Sequence, residues 1–417
     1  MATGGGGGGR VAPGMAAWLY ESAWDERLWL PKNLTWKDLE EKPELNLMPP
    51  QCHQLLSALP LALAFITLRY VFDRTIALPL GRALGVKEKV KRLAIPNAEL
   101  ERVYQVRKQP NQGELEGLAK RSDWSLRRVE RWFRQRRNQD RSNVTKKFCE
   151  ASWRFTFYII AFCTGLWVLV DKPWFWNLKS CWTNYPTQSV LVSQYWYYML
   201  ELGFYLSLLF SVAFDVKRKD FKEQLIHHFA TITLISFSYV VNLIRAGTLI
   251  MLVHDVADFF LESAKMFLYA DWKRSSHVLF MIFTPIFLIS RLVIFPFWII
   301  HCTAILSLES YEPFFGYYFF NGMLLLLQSL HIFWAFLILR MLHHFVFVGP
   351  LEKDERSDAD ESEGPEDEGN HEPDVRIPGS MAFDSTLSNG HFGHVQHRGS
   401  TPTANGCQSP KIPDVLH

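Results

Sequence analysis

Apolar blocks of roughly 20 residues, separated by strongly charged connectors, constrain this 417-residue chain more than any other feature of it. Wound as an α-helix at about 1.5 Å per residue, a block of that length matches the hydrocarbon thickness of a bilayer. The mean hydropathy of −0.02 conceals the alternation because it averages opposites. A soluble globule of this length would not cluster its polarity so. Candidate spans fall near residues 52–72, 151–171, 191–214, 223–244, 247–270, 278–300 and 317–346. The expected fold is an all-α polytopic membrane protein of about seven transmembrane helices.

Basic residues crowd the connector 74–147, the hinge Lys217-Arg218-Lys219 and the link Lys273-Arg274, which share one side if every span crosses. The positive-inside rule makes that side cytosolic, with a lumenal N-terminus and a cytosolic C-terminus. The chain then divides into a lumenal tail (1–50), a first transmembrane helix (51–80), a cytosolic region (81–142), six further transmembrane helices (143–346) and an acidic cytosolic tail (347–417). No apolar h-region with a cleavage site precedes the first span, so no removed signal peptide is expected. Asn33-Leu-Thr35 is a glycosylation sequon on the lumenal side. Asn143-Val-Thr145 repeats the triplet in the cytosolic connector, so modification is expected at Asn33 alone. Six scattered cysteines do not suggest a disulfide framework. Beyond about residue 351, low hydrophobicity and like charges predict disorder, and Ser357 and Ser362 sit in acidic surroundings that suit an acidophilic kinase.

Ionisable side chains interrupt the fourth and fifth apolar blocks: His227 and His228 on one, His254, Asp255, Asp258, Glu262 and Lys265 on the other. Each charge at a bilayer centre costs at least about 2.5–3.5 kcal/mol, so several on neighbouring spans imply an interior cavity with a function. Asp255, Asp258 and Glu262 recur at helical spacing and share a face, with His254 at its margin. By depth, Asp258 and Glu262 are better placed to meet the histidines, and Asp255 suits a structural or headgroup role. Glu201 is a weaker instance of the same pattern, and Pro285 and Pro296 are expected to kink the sixth span. Such residues also build proton relays in transporters, yet the chain has no convincing internal repeat. A di-iron oxygenase would need closely spaced multi-histidine boxes, which His227-His228, His331 and His343-His344 do not form. No metal is expected.

In the cytosolic connector, Val129-Glu-Arg-Trp-Phe-Arg-Gln-Arg-Arg-Asn138 resembles the recognition helix of a homeodomain. Leu100 and Tyr104, Leu115 and Leu118, and Val129, Trp132 and Phe133 would form the core of a small three-helix unit. Where DNA-reading homeodomains carry an adenine-binding Asn stands Gln135. DNA binding is therefore not expected, and the basic face suits anionic lipid or a substrate phosphate instead.

Asp215-Val-Lys-Arg-Lys-Asp-Phe-Lys, then His227-His228, then His254-Asp-Val-Ala-Asp-Phe-Phe-Leu-Glu-Ser-Ala-Lys265 closely resemble the signature of the ceramide synthases in the TLC-domain family. The resemblance covers roughly residues 18–362, including the homeodomain-like insert, Lys172-Pro-Trp-Phe-Trp176 and the Asp-Glu-Arg-Ser-Asp358 run. It implies an endoplasmic-reticulum membrane enzyme that N-acylates sphinganine or a related sphingoid base from acyl-CoA, with the last six spans forming a helical barrel. It carries catalytic roles onto His227, His228, Asp255 and Asp258, with Glu262, His254 and Lys265 in support. Acyl-CoA is then a co-substrate, no cofactor is needed, and a homo- or heterodimer with related synthases is allowed. Phe314-Phe-Gly-Tyr-Tyr-Phe-Phe320 is similar to the branch that uses long to very-long acyl chains. The residue chemistry agrees. An amine must lose a proton before it attacks a thioester, and histidine, with an ordinary pKa of about 6.5, suits that task. A carboxylate can orient the imidazole or receive the ammonium. Direct attack with a histidine base and a covalent acyl-imidazole both remain open.

Overall fold

Seven long helices occupy the seven apolar blocks. The computed structural model describes residues 22–40, 48–87, 93–140, 143–212, 214–216, 218–347 and 349. The glycine-rich start, the acidic tail, Ser357 and Ser362 lie outside the described residues. A single turn, α1 (Glu26–Trp29), comes first, followed by α2 (Ala58–Phe72). Three shorter helices fill the connector: α3 (Ala98–Val106), α4 (Gln112–Ser122) and α5 (Leu126–Asp140). Then come α6 (Val144–Leu169), α7 (Val192–Ser211), α8 (Phe221–Val240), α9 (Ile244–Tyr269), α10 (Lys273–Leu288) and α11 (Phe315–Phe347). Among the described residues, four segments are long and apolar enough to cross a membrane: Cys52–Ala83, one within Leu126–Leu169, Lys273–Glu309 and Phe315–Phe347. The other three, α7 to α9, dilute their apolar runs with aromatic hydroxyls, histidines and charges.

The last six long helices close into a ring. In order around it, α6 adjoins α7, then α8, α11, α10 and α9, which returns against α6. Large apolar side chains such as Trp167, Phe297 and Phe336 point outward and stay exposed, which suits lipid and not water. Outside the ring, α2 lies on α7 at Gly203, where an added Cβ would stand 3.0 Å from Leu61 Cβ. In lipid, such close approach of small residues supplies the dispersion contact that holds helices together.

Tight links order the ring. The left-handed residues Asn242 (φ 59°) after α8 and Asp271 (φ 62°) after α9 are of the types that tolerate that conformation. Asn242 also donates from Nδ2 to the carbonyls of Pro186 (2.6 Å) and Gln188 (2.7 Å). At the same end of the ring Trp29 meets Phe315 and Phe319 edge-on, Lys32 pairs with Glu312, and the Trp182 indole donates to the Cys302 carbonyl. The N-terminal segment, the α6–α7 loop and the loop before α11 thus share one end, as an alternating path through a membrane requires.

The sixth span runs on through both of its prolines. Neither Pro285 nor Pro296 breaks it: α10 passes into a π-helical stretch, Ile289–Ile300, and on through His301–Ala304. Pro285 lies inside α10 and Pro296 inside the π-helical stretch, whose wider turn accommodates the donor that Pro296 lacks; such turns are frequent at functional sites.

In the connector, α3, α4 and α5 enclose Leu100, Tyr104, Leu118, Val129, Trp132 and Phe133, with Leu115 at the margin. Asn97 and Asn111 cap α3 and α4, the latter in a capping box with Glu114. The Trp132 indole donates to the Ile95 carbonyl at 2.6 Å, and Arg136 ties Glu101 to Asp140. Burial pushes the Asp140 carboxyl up, but hydrogen bonds from Arg136 and Tyr104 hold it below its ordinary value.

Candidate active site

The ring surrounds a polar cavity of about 110 Å³, lined by side chains from all six helices. From α8 come His227 and His228. Their ring centroids are 6.0 Å apart, and Trp334 on α11 stands edge-on to His227 at 5.5 Å. The Trp334 indole is held in turn by Asp220 Oδ2 at 3.1 Å, so the hinge before α8 fixes the wall facing the histidines. Tyr205 on α7 lies 5.7 Å from the His228 ring. The Nδ1 atoms of both histidines are buried and have no hydrogen-bond partner among the described residues.

Opposite them, α9 presents Asp258, Glu262 and Lys265. Glu262 and Lys265 form a buried ion pair at 2.6 Å. Arg291, in the π-helical stretch, donates from Nη2 to the His254 carbonyl at 2.6 Å and to Asp258 Oδ1 at 3.3 Å. Its cation is thereby anchored to α9 and turned toward the cavity. His254 Nδ1 lies 2.6 Å from the Ile250 carbonyl, which only accepts, so this nitrogen carries a proton. Its Nε2 lies 3.1 Å from His331 Nε2, which Arg291 Nη1 also approaches at 3.5 Å. His254 thus has a partner at each ring nitrogen, whereas His331, like the pair on α8, leaves its Nδ1 unmet among the described residues.

A second cavity of about 60 Å³ continues from the first toward the loop-bearing end, and Tyr205 lines both. Its polar side holds His254, Asp255 and Glu201; its remaining wall is apolar, including Leu234, Ile235, Leu324 and Leu327. Asp255 is 1% exposed and accepts from the Tyr197 hydroxyl at 3.3 Å, with the Glu201 carboxyl beside it. Gly165 makes room for that tyrosine, since a Cβ there would lie 2.6 Å from its hydroxyl oxygen. A third cavity, of about 40 Å³, follows, and shares Leu243, Thr303 and Phe320 with the second. Ser307, Tyr311 and Phe314 close its end.

The structure thus brings together His227, His228, Asp258, Glu262 and Lys265. It sets Asp255 and His254 in the second cavity, one helical step further along. The single carboxylate face expected on α9 is divided by depth: a shift of three residues raises a side chain by about 4.5 Å, enough to move it from one chamber to the next. Asn33 is exposed at the loop-bearing end. Arg291, Arg154, Tyr205 and Trp334 were not singled out for the site from sequence. Arg291 carried a readable signal, a lone cation in the apolar run Ile289-Ser-Arg-Leu292, whereas the aromatic residues carried none that set them apart from ordinary packing.

The TLC domain signature matches residues 147–340. The chain is 50% identical to human ceramide synthase 4 over 345 residues, 82% of this chain and 87% of that protein. It is 49% identical to human ceramide synthase 3 over 343 residues, 82% and 88% of the two chains. With human ceramide synthase 5 the identity is 44% over 381 residues, 91% and 95%.

Proposed function

The chain belongs to the ceramide synthases of the TLC-domain family, and from that premise we propose how its three cavities carry out the reaction. As an acyl-CoA-dependent N-acyltransferase, it moves a fatty acyl group onto the amine of sphinganine or a related sphingoid base, giving dihydroceramide or ceramide. The polar first cavity is the reaction chamber, and the two apolar cavities behind it take the acyl tail. CoA is large and polyanionic, so its thioester enters from the end that carries Arg154, Arg218 and Lys265, while the tail threads toward the loops.

Within the chamber one imidazole of the His227–His228 pair attacks the thioester carbon. The C–S bond breaks, the thiolate takes the proton that the acylated ring gives up and leaves as CoA thiol, and the acyl group stays on nitrogen as a neutral acyl-imidazole. The sphingoid ammonium gives one proton to the second imidazole of the pair, its amine attacks the same carbon, the C–N bond to the acylated imidazole breaks, and the second amine proton passes to the released histidine. Asp258 receives the incoming ammonium and steadies the imidazolium, and Arg291 positions Asp258. Both substrates need the same carbonyl through one mouth, which favours two half-reactions over simultaneous attack.

The observation that carries this reading is the His227–His228 pair, whose buried Nδ1 atoms have no partner among the described residues, sharing with Asp258 a cavity that adjoins apolar space. Intact mass after incubation with acyl-CoA alone tests it. A protein heavier by one acyl group is expected, returning to its starting mass when sphinganine is added. No adduct in an enzyme that turns over both substrates overturns the covalent route and leaves direct attack with a histidine base.

By the positive-inside rule the Asp215 end faces the cytosol, and in this reading the loop-bearing end, with Asn33, faces the lumen of the endoplasmic reticulum. The acyl chains are of the long to very-long class. Assembly is with itself or a related synthase.

A further inference from the structure

Cys181 and Cys302 lie at the loop-bearing end as free thiols, 4% and 2% exposed and close enough to interact. Two independent contacts fix the approach. The Cys302 thiol donates to the Leu178 carbonyl at 3.7 Å, and the Trp182 indole donates to the Cys302 carbonyl at 3.0 Å, so residue 302 is held against 178–182 from both sides. Cys181 ends a short 3-10 turn, Leu178–Cys181, in the α6–α7 loop, and Cys302 sits in the last turn of the long helix that begins with α10. Cys149 and Cys163, by contrast, lie within α6.

We propose that Cys181 and Cys302 form a disulfide, which ties the α6–α7 loop to the end of the sixth span. The proposal rests on the lumenal placement of this end, because disulfides persist in oxidising compartments and are rare in the cytosol. Two S–H bonds break and one S–S bond forms. The two electrons and two protons reduce a second disulfide, that of a dithiol oxidoreductase or of glutathione disulfide, to two thiols. The exchange takes place before the loops pack, since the folded protein buries both sulfurs. Its place in the fold gives it a consequence. Trp182 and Thr303, the neighbours of the two cysteines, line the third cavity, so the cross-link fixes the wall at the far end of the acyl path.

The test uses the full-length protein in microsomal membranes, denatured in N-ethylmaleimide without reductant, digested and mapped by mass. The expected result is a peptide pair joined through Cys181 and Cys302, two hydrogens lighter than the sum of the separate thiol peptides and lost on reduction, with Cys149 alkylated as an internal control. A Cys181→Ser variant should leave Cys302 open to alkylation under the same conditions. Alkylation of both cysteines in the unreduced native sequence overturns the proposal. The same digest reports the glycan at Asn33. Free thiols with the glycan present refute the disulfide while the lumenal placement stands, and free thiols without it refute both.

Discussion

At the scale of single residues, His227 and His228 differ from His254 in what their ring nitrogens do, and His331, which lines the same cavity, shares their unmet Nδ1. His254 and His331 face each other, and His254 also meets a backbone carbonyl, whereas both Nδ1 atoms of the α8 pair are unmet among the described residues. Leaving a buried polar atom unpaired costs about 1–3 kcal/mol, a cost that persists where a substrate supplies the partner. Replacing both residues, His227→Ala with His228→Ala, should lower transfer by on the order of 10²-fold or more while membrane insertion is unchanged. Near-normal ceramide formation by the double variant would show that the reaction lies elsewhere. Asp258→Asn keeps the side chain's shape but removes the charge opposite the ammonium and beside Arg291. A loss of about 10²-fold is expected, and normal turnover at every pH near neutrality would sink the charge argument. The carboxylates and histidines were legible in the sequence because ionisable groups are conspicuous in apolar blocks. Tyr205 and Trp334 were not, because an aromatic residue in a span looks the same whether it packs or lines a cavity. The division between Asp255 and Asp258 was legible only in part, since helical spacing gives direction and depth but not where one chamber ends.

At the scale of elements, the ring follows from hydropathy and short links, but the attachment of α2 to it does not. That attachment is electrostatic at one end. Arg69 on α2 and Arg154 on α6 each bind a different oxygen of Asp215, at 2.7 and 3.0 Å, and all three side chains are no more than 15% exposed. Asp215 comes from the basic hinge after α7, so one carboxylate joins three segments at the mouth of the reaction chamber. Sequence showed the hinge as a topology signal, because the partners lie 146 and 61 residues away and no local pattern reports them. Asp215→Asn leaves two guanidinium groups with no full counter-charge. It should destabilise the protein by about 3 kcal/mol, at the lower end for a buried pair because some water reaches it. Thermal unfolding in detergent measures this, and an unchanged midpoint would mean that the clamp carries no stability. The three-helix unit was the reverse case: its core positions were legible from local spacing, since Leu100, Tyr104, Leu118, Val129, Trp132 and Phe133 all come from one stretch of about 35 residues.

At the scale of the whole molecule, topology and acyl length are joined, because the far end of the acyl path is also the end assigned to the lumen. A glycosidase-sensitive mass shift should vanish with Asn33→Gln and persist with Asn143→Gln, and modification at Asn143 would invert the orientation. Length selection then follows from where the path closes. Each buried CH₂ is worth about 0.8 kcal/mol, so a floor a few carbons deeper favours a longer donor by orders of magnitude. On the proposed path that floor is the segment 307–315, since Ser307, Tyr311, Glu312 and Phe314 line the third cavity, with Tyr311 anchored through its hydroxyl to the Tyr185 carbonyl at 2.5 Å. None of these residues approaches the histidines, so altering them should change which tail fits without touching the chemistry. Exchanging residues 307–315 for the corresponding loop of a relative with a different chain preference should therefore shift the preferred acyl-CoA length toward that relative, with turnover retained on the newly preferred donor. Turnover across a panel of acyl-CoAs is the measurement, and an active chimera that keeps the parental length profile would place the floor of the path elsewhere in the ring.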